Sequence, residues 1–501
     1  MNFDLDTPIL KFRGDNPADY WTIRHSCEGS LIIGSLGAGK TTGAGRIISI
    51  KMLEAGFGGL VLVAKPDEKQ LWIDYCKAAD RSNDLVIIEP GGKHRFNFLE
   101  YEALSRGMKQ SLTSNIVDVL KTVLKASQEK SSGKTDDAFW ESSTDMMLFN
   151  IIDLVMLAYK RVTIQDIYEI AQSIPHDVSE LSNDAYKDRG FVKALNAANK
   201  NVSAKLDEWE RSIGPDVLKQ LHENDTYATR ASDEIPDFRT LNYVEDFFKD
   251  YFIPLSEKTR SIIEFSFTGF LFRFMREPVF SLFCNEKSTL EPEDCLKGKI
   301  ILVNLPVKTF DKVGRDAQIM FKYIWQRAME RRDPKMGIRP VFLWADEAQN
   351  FIHEHDATYQ ATARSSMIAT VMITQNLANF FANMGGERSK HRVMSFLGTL
   401  NTKIFHGNAD VETNQYASSL IGDYLIEKTS QGSTAGTDNI SQTTTTTTDY
   451  ERIVRPEAFA SLKTGGPSND FIVEAIFYRQ GAPFSTGRNV IKAKFNQKFR
   501  A

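Results

Sequence analysis

Residues 34–42 read GSLGAGKTT, directly after the apolar run Leu31-Ile32-Ile33 and directly before the amphipathic stretch GAGRIISIKMLEAG. The spacing from Gly34 to Thr41 is G-x-x-x-x-G-K-T, and each position in it has a physical reason. Glycines let the backbone turn so that successive N–H groups point inward around phosphate oxygens. Lys40 supplies a cation to the β- and γ-phosphates, the Thr41 hydroxyl can ligand Mg²⁺, and the following helix offers its positive end. The pattern is a Walker A loop, and it demands a strand before it and a helix after it. The phosphate-binding set expected from it is Gly34, Ser35, Gly37, Ala38, Gly39, Lys40, Thr41 and Thr42, with ATP and Mg²⁺ as ligands.

Short β-rich apolar runs recur along the chain with helical segments between them: SLIIGS, GGLVLVAKP, DLVIIEP, then GKIILVNLP, PVFLWADEAQ, ATVMITQN and TKIFHGN. Runs of this length without polar alternation are strands buried on both faces, which belong to a parallel sheet flanked by helices. The fold class read from them is α/β, a nucleotide-binding core with a mostly parallel central sheet. Between the third and fourth runs the pattern changes to helical: SLTSNIVDVLKTVL puts Leu112, Ile116, Val119 and Val123 on one face, and DAFWESSTDMMLFNIIDLVMLA continues in the same mode. This predicts an inserted all-α domain over 106–268, between a first part of the nucleotide-binding domain at 1–105 and a second part at 269–501. SQEKSSGKTDD at 127–137 reads as a flexible loop inside the insert. A Ser/Thr/Gly-rich segment over 429–449 reads as an exposed β-hairpin, a disordered loop facing a partner, or an unselected surface loop.

Composition sets the outer bounds. The chain has 501 residues, 42% hydrophobic and 25% charged, the make-up of a soluble globular protein of two or three domains, which excludes bulk disorder. Four cysteines, Cys27, Cys76, Cys284 and Cys295, form no C-x-x-C pair, which points to buried thiols in a reducing cytosol rather than a zinc site. The most apolar stretch, Met146 to Tyr159, is too short for a membrane span and is interrupted by Asn150 and Asp153, so it reads as a buried helix. The N-terminus shows no basic region followed by an apolar core, and a cytoplasmic location is expected. Net charge is −4, so no global basic footprint of a groove-coating nucleic-acid binder exists. The last fourteen residues, RNVIKAKFNQKFRA, hold five Lys or Arg and no acid. They read either as an anion contact or as a solvated tail.

Hydrolysis needs more than phosphate binding. PVFLWADEAQNF supplies a strand that ends in two acids: Asp346 can hold the Mg²⁺ shell and Glu347 can polarise the attacking water. RSSMIATVMITQN is another buried strand ending in polar residues, where Gln375 can register the γ-phosphate. Arg364, just before that strand, is either a structural helix cap or an arginine finger reaching a neighbouring subunit's ATP. The cluster FIHEHDA, with His353, Glu354, His355 and Asp356, reads as surface, because residues 353 and 355 do not share a helical face.

In this combination and order, the chain resembles the coupling-protein ATPases of type IV secretion and conjugation, the TraG/TraD-type branch of the HerA/FtsK superfamily. GSLGAGKTT resembles their Walker A and FLWADEAQNF their Walker B. VLVAKPDEKQLW, DLVIIEPGGKHRFNFLEY, FRFMREPVFSLFC with LKGKIILVNLPV, and NTKIFHGNADVETNQYASSLIG with ERIVRPEAFASL are similar to the segments between and after them. The resemblance implies a RecA-like P-loop NTPase domain and assigns the arginine finger and sensor glutamine to Arg364 and Gln375 in ARSSMIATVMITQN. It implies a homo-oligomeric ring, a hexamer, with ATP at subunit interfaces and DNA in a central pore contacted through its backbone. Basic groups then need only line the pore, which accommodates the modest net charge. Relaxase and secretion-channel or anchor subunits are the partners it implies.

The sequence departs from the family pattern in three places. The usual D-P-K-G-E after the second strand is here K-P-D-E, Lys65 to Glu68, and N-P before the insert is Asn97-Phe98. The Walker A begins at Gly34, without room for the N-terminal membrane anchor of typical members, so recruitment to a membrane would fall to a partner. The expected function is ATP-driven DNA translocation. The competing readings are a packaging or repair translocase of the same superfamily acting away from any membrane, and a non-translocating ATP-dependent scaffold or switch.

Overall fold

The computed structural model describes residues 3–103, 112–128, 138–285, 287–332, 339–383, 387–435 and 440–499. It divides into two compact units, one built from Met1–Val86, Pro292–Thr309 and Trp325–Ala501, the other from Ile87–Glu291 and Phe310–Ile324.

The first unit carries the sheet. In chain order its strands are β1 (Pro8–Lys11), β2 (Tyr20–Thr22), β3 (Ser30–Ile33), β4 (Gly58–Leu62), β5 (Leu85–Ile88, where the first unit's opening segment ends), β6 (Ile300–Val303), β7 (Val341–Ala345), β8 (Ile368–Thr374), β9 (Thr402–His406), β10 (Asp423–Ala435), β11 (Ile440–Arg452), β12 (Ile472–Arg479) and β13 (Val490–Asn496). Nine of them form one sheet in the order β13-β12-β9-β3-β8-β7-β4-β6-β5. β3 lies parallel to β8 and β9, and β4 parallel to β6 and β7, while β12 runs antiparallel to β9 and β13. All seven apolar runs read as strands contain one. β3, β4, β6, β7, β8 and β9 are buried at every position, the signature of a parallel sheet covered on both faces.

Two regions differ from expectation. The basic C-terminal segment is not a solvated tail: residues 490–496 form the edge strand β13, with Ile491, Ala493 and Phe495 buried and Lys492 and Lys494 facing out. Period-two alternation on an edge strand disguises the basic residues as a tail. The FIHEHDA cluster is not all surface either. His353 and Asp356 are buried, because the Asp356 carboxylate accepts from the His353 backbone N–H at 2.8 Å and from Gln326 Nε2 at 2.8 Å. Among the described residues no group of three or more His, Cys, Asp or Glu could by itself hold a metal ion.

The Thr-rich segment forms a two-stranded antiparallel ribbon, β10 against β11, paired from Asp423↔Arg452 to Ala435↔Ile440. From Glu427 to Ser433 and from Gln442 to Tyr450 every residue is exposed. The run of Thr from Thr443 to Thr448 gives strand propensity without an apolar, core-facing side.

The second unit is helical. Its longer helices are Leu112–Gln128, Ala138–Tyr159, Gly190–Ile213 and Glu257–Phe274. Ile116, Val119 and Val123 are buried, as their spacing requires, and so are Met147, Leu148, Ile151, Ile152 and Val155 of the apolar stretch read as a buried helix. The loop expected over 127–137 lies, beyond Gln128, outside the described residues. The unit takes in Ile87–Glu291 and Phe310–Ile324, wider than the helical pattern alone outlines, because the segments flanking the insert pack within it: Phe96 N–H donates to Leu282 O at 2.9 Å. No helix among the described residues is long and apolar enough to cross a membrane. All four cysteines are buried free thiols.

Candidate phosphate site

In a parallel α/β sheet the loops leaving the carboxyl ends of neighbouring strands converge, and that is where ligand chemistry collects. Here the ends of β3, β4, β7, β8 and β9 deliver the P-loop, Lys65, Asp346 with Glu347, Gln375, and His406 with Asn408.

The loop after β3 closes on Lys40. Its ammonium donates to the carbonyls of Gly34 at 2.7 Å and Ser35 at 3.0 Å, so the side chain curls back over the loop it follows. Gly37 and Gly39 adopt φ of +74° and +79°. At Gly39 a Cβ would also meet Val473 Cγ2 at 2.6 Å, so backbone geometry and packing both require glycine there. Gly34 is packed against His406, whose Cβ lies 2.7 Å from where a Gly34 side chain would begin. The loop's outer side is tied down by Ser35: its N–H donates to Gly407 O at 2.9 Å and its hydroxyl to Asn408 Oδ1 at 3.0 Å. A π-turn over Thr41–Gly45 then runs into the helix Arg46–Glu54. Ala38 is buried within the loop, and Thr42 Oγ1 accepts from Gln497 Nε2 at 2.7 Å.

Asp346 and Glu347 complete the site. The Thr41 hydroxyl donates to Asp346 Oδ2 at 2.8 Å, joining residues 305 positions apart. A hydroxyl and a carboxylate converging in this way fit Mg²⁺, which takes one or two protein oxygens and completes its shell with phosphate and water oxygens. Thr41 and Asp346 are therefore the residues that would hold it; bound there, the ion would neutralise charge on the β- and γ-oxygens of a nucleotide. Asp346 is 4% exposed, and burial pushes its carboxyl up from the ordinary range against the opposing pull of Lys65 and Thr41.

Glu347 sits in the left-handed region, φ 47° and ψ 49°, an uncommon conformation for a residue with a side chain. Three side chains converge on its carboxylate. Lys65 Nζ lies 2.9 Å from Oε1, Gln349 Nε2 donates to Oε2 at 2.9 Å, and Gln375 Nε2 spans both oxygens at 3.1 and 3.2 Å. Burial alone would raise this carboxyl, and these donors outweigh it, holding it below its usual value. The Lys65 ammonium shows the mirror image: burial would lower it, but Glu347 and Asp346 hold it up. Burial pulls Lys40 below its usual value.

Lys65, Glu68, Gln349, Asn408 and His406 were not identifiable as site residues from their types and spacing alone. The available signal was the K-P-D-E departure at the carboxyl end of β4, which puts charge where a parallel sheet gathers its chemistry. Glu68 accepts from the Ala64 N–H at 2.9 Å, and burial with the nearby Asp346 charge pushes its carboxyl up from the ordinary range. Arg364 stands apart from the group just described. It follows the helix His355–Ala363, its side chain is 64% exposed, and it makes an ion pair with Glu28 at 3.3 Å.

Sheet, loop and strand-end acids together define a RecA-like P-loop NTPase fold. Residues 340–464, which hold β7, Arg364, β8, Gln375 and the Thr-rich ribbon, match the family model described as the TraM recognition site of TraD and TraG. The whole chain superimposes on the bacterial conjugative coupling protein TrwBdeltaN70 in its unbound monoclinic form, with a TM-score of 0.60 and 13% identity over 99% of this chain and 90% of that one. TrwB in complex with the non-hydrolysable ATP analogue ADPNP matches with a TM-score of 0.60 at 13% identity over 99% and 94%, and TrwB with ADP and Mg²⁺ with 0.57 at 13% over 96% and 88%. Comparison with curated proteins returns no match. The resemblance to TraG/TraD-type coupling proteins therefore holds, by sequence over the matched segment and by fold over the whole chain.

Proposed function

We propose that the chain is an ATPase of the coupling-protein type that moves DNA through a ring of its own copies. The observation that carries this reading is the convergence of Thr41, Asp346 and Glu347 at the open end of one parallel sheet, with the Thr41 hydroxyl 2.8 Å from Asp346. In this reading the amides of Gly34, Ser35, Gly37, Ala38, Gly39, Lys40, Thr41 and Thr42 surround the phosphates, and Lys40 gives up its loop carbonyls to the β- and γ-phosphates. Glu347 accepts the proton of the attacking water, and Gln375, already on that carboxylate, orients it. Arg364, exposed and paired with Glu28 at 3.3 Å, is the finger offered to the next subunit. Ring closure would put one subunit's Arg364 against another's phosphates, worth three or more orders of magnitude in rate on the order reported for such fingers.

The sheet unit serves as the nucleotide-binding motor and the helical unit as a separate insert. DNA contacts are to the backbone, within a pore, as suits a chain of net charge −4. A relaxase and secretion-channel or anchor subunits are the partners this role needs. The test is ATP hydrolysis with and without single- and double-stranded DNA, by wild type, Lys40→Ala, Arg364→Ala and an equimolar mixture of the two variants. Strong DNA stimulation, lost in each variant and partly restored in the mixture, is the expected result. Hydrolysis indifferent to DNA and to Arg364→Ala would overturn the translocase and leave a nucleotide-gated scaffold.

A further inference from the structure

Glu347 can act on water only if one of its carboxylate lone pairs is free, yet both oxygens carry donors. Oε1 takes Lys65 Nζ at 2.9 Å and Gln375 Nε2 at 3.1 Å; Oε2 takes Gln349 Nε2 at 2.9 Å and Gln375 Nε2 at 3.2 Å. The three donors are not equally able to leave. Gln349 is held at its other end, where its carbonyl oxygen accepts from the Thr374 hydroxyl at 3.0 Å in the interior. Gln375 is fixed through its backbone, whose carbonyl accepts from Asn408 Nδ2 at 3.2 Å, and Asn408 is in turn bound to Ser35 of the phosphate loop. Lys65 is the cationic donor, on a flexible stem with 27% of its side chain exposed.

Charge decides which donor an arriving phosphate moves. An amide gains little from a dianionic oxygen that it does not already gain from a carboxylate; an ammonium gains a second, stronger anion. Lys65 stands at the carboxyl end of β4, beside β7, whose Asp346 takes the Thr41 hydroxyl of the phosphate loop at 2.8 Å, so its ammonium on Glu347 and the loop share one end of the sheet.

We propose that Lys65 is a terminal-phosphate sensor that also positions Glu347: it holds the carboxylate until a nucleoside triphosphate presents its γ-phosphate, then transfers to that phosphate and frees the carboxylate for water. The inference rests on the proposed nucleotide-binding role and adds to it a residue that separates triphosphate from diphosphate. ADP offers no phosphate at the γ position, so Lys65 stays on Glu347 and the carboxylate remains engaged. The lysine stands at the first position of K-P-D-E, at the carboxyl end of β4, so the device belongs to this chain's own sequence.

The test is equilibrium binding of ADP and of the β,γ-imido analogue of ATP, each with Mg²⁺, to wild type, Lys65→Met and Lys65→Arg, with melting temperatures to establish that each variant is folded. Wild type should prefer the analogue by about tenfold or more, the worth of one charged hydrogen bond. Lys65→Met should lose that preference while binding ADP as before, and Lys65→Arg should keep most of it. A structural role would weaken both nucleotides together. Equal weakening of both, or an undiminished preference in Lys65→Met, overturns the sensor. Equal affinities in wild type overturn it while leaving the binding site in place. Failure of wild type to bind either nucleotide overturns the phosphate site itself, and the sensor with it.

Discussion

Gln375 Nε2 reaches both carboxylate oxygens of Glu347, at 3.1 and 3.2 Å, from the end of the neighbouring strand. β7 and β8 are parallel and adjacent, so an overhang of two residues past β7 and one past β8 brings an acid and an amide face to face. Glu347→Gln would keep the shape of this contact and remove the base. We expect turnover to fall by about 10²-fold or more, with nucleotide affinity little changed, since general-base groups contribute about that much. Gln375→Ala should lower turnover less, because Gln349 still holds the carboxylate. Steady-state hydrolysis beside equilibrium nucleotide binding measures both; a Glu347→Gln variant that hydrolyses like wild type would remove Glu347 from the mechanism.

Gly39 is the loop residue least able to change. Its φ of +79° and the 2.6 Å approach of Val473 Cγ2 to a would-be Cβ act together. Gly39→Ala should cost about 1–2 kcal/mol from the backbone conformation alone, with more from the displaced Val473. Thermal unfolding should show a melting point several degrees lower, and phosphate binding should weaken in parallel. Gly37, with φ +74° and open space around it, isolates the conformational part: Gly37→Ala should lose stability by the smaller amount.

Seven strands, the Walker A and both strand-end acids were readable because each rests on local pattern: an apolar run, a glycine spacing, a carboxylate after a buried strand. β12 and β13 escaped that reading. They are antiparallel additions at the sheet edge, and β13 alternates its lysines with buried Ile491, Ala493 and Phe495. Lys65 and Glu68 escaped for another reason. Their roles come from the order of strands in space, with β4 beside β7, and no spacing along the chain contains that neighbour. His353 and Asp356 looked like surface because burial of a short polar cluster depends on Gln326, which lies on a separate element.

His406 predicts an acid sensitivity of the fold. It is fully buried behind Gly34, its Nδ1–H donates to Glu474 O at 3.2 Å, and burial takes it from 6.5 down to about 3. Below pH 6.5 the unfolded chain's imidazole binds a proton that the folded one refuses until about pH 3. Lowering the pH through that window therefore favours unfolding, by about 1.4 kcal/mol for each pH unit; above 6.5 the contribution is constant. The half-buried His25, lowered to about 4, acts in the same direction. Denaturant titrations at pH 7.5 and pH 5 should show a loss in wild type that is smaller in His406→Asn. Equal losses in both would mean that His406 titrates normally.

The Thr-rich ribbon separates stability from assembly. Every residue from Glu427 to Ser433 and from Gln442 to Tyr450 is exposed, so replacing 427–450 with a short turn between Ile426 and Glu451 removes no buried side chain among the described ones. Surface changes without such burial stay within about 0.5 kcal/mol, and the melting point should be unchanged. A two-stranded ribbon with no core of its own is marginal in water, and its tip carries no lysine to discourage strand pairing. A shortened chain that melts several degrees lower would mean the ribbon packs on the body. An unchanged melting point places whatever the ribbon contributes outside the monomer's fold, where sedimentation of the shortened chain against wild type reads its part in self-association.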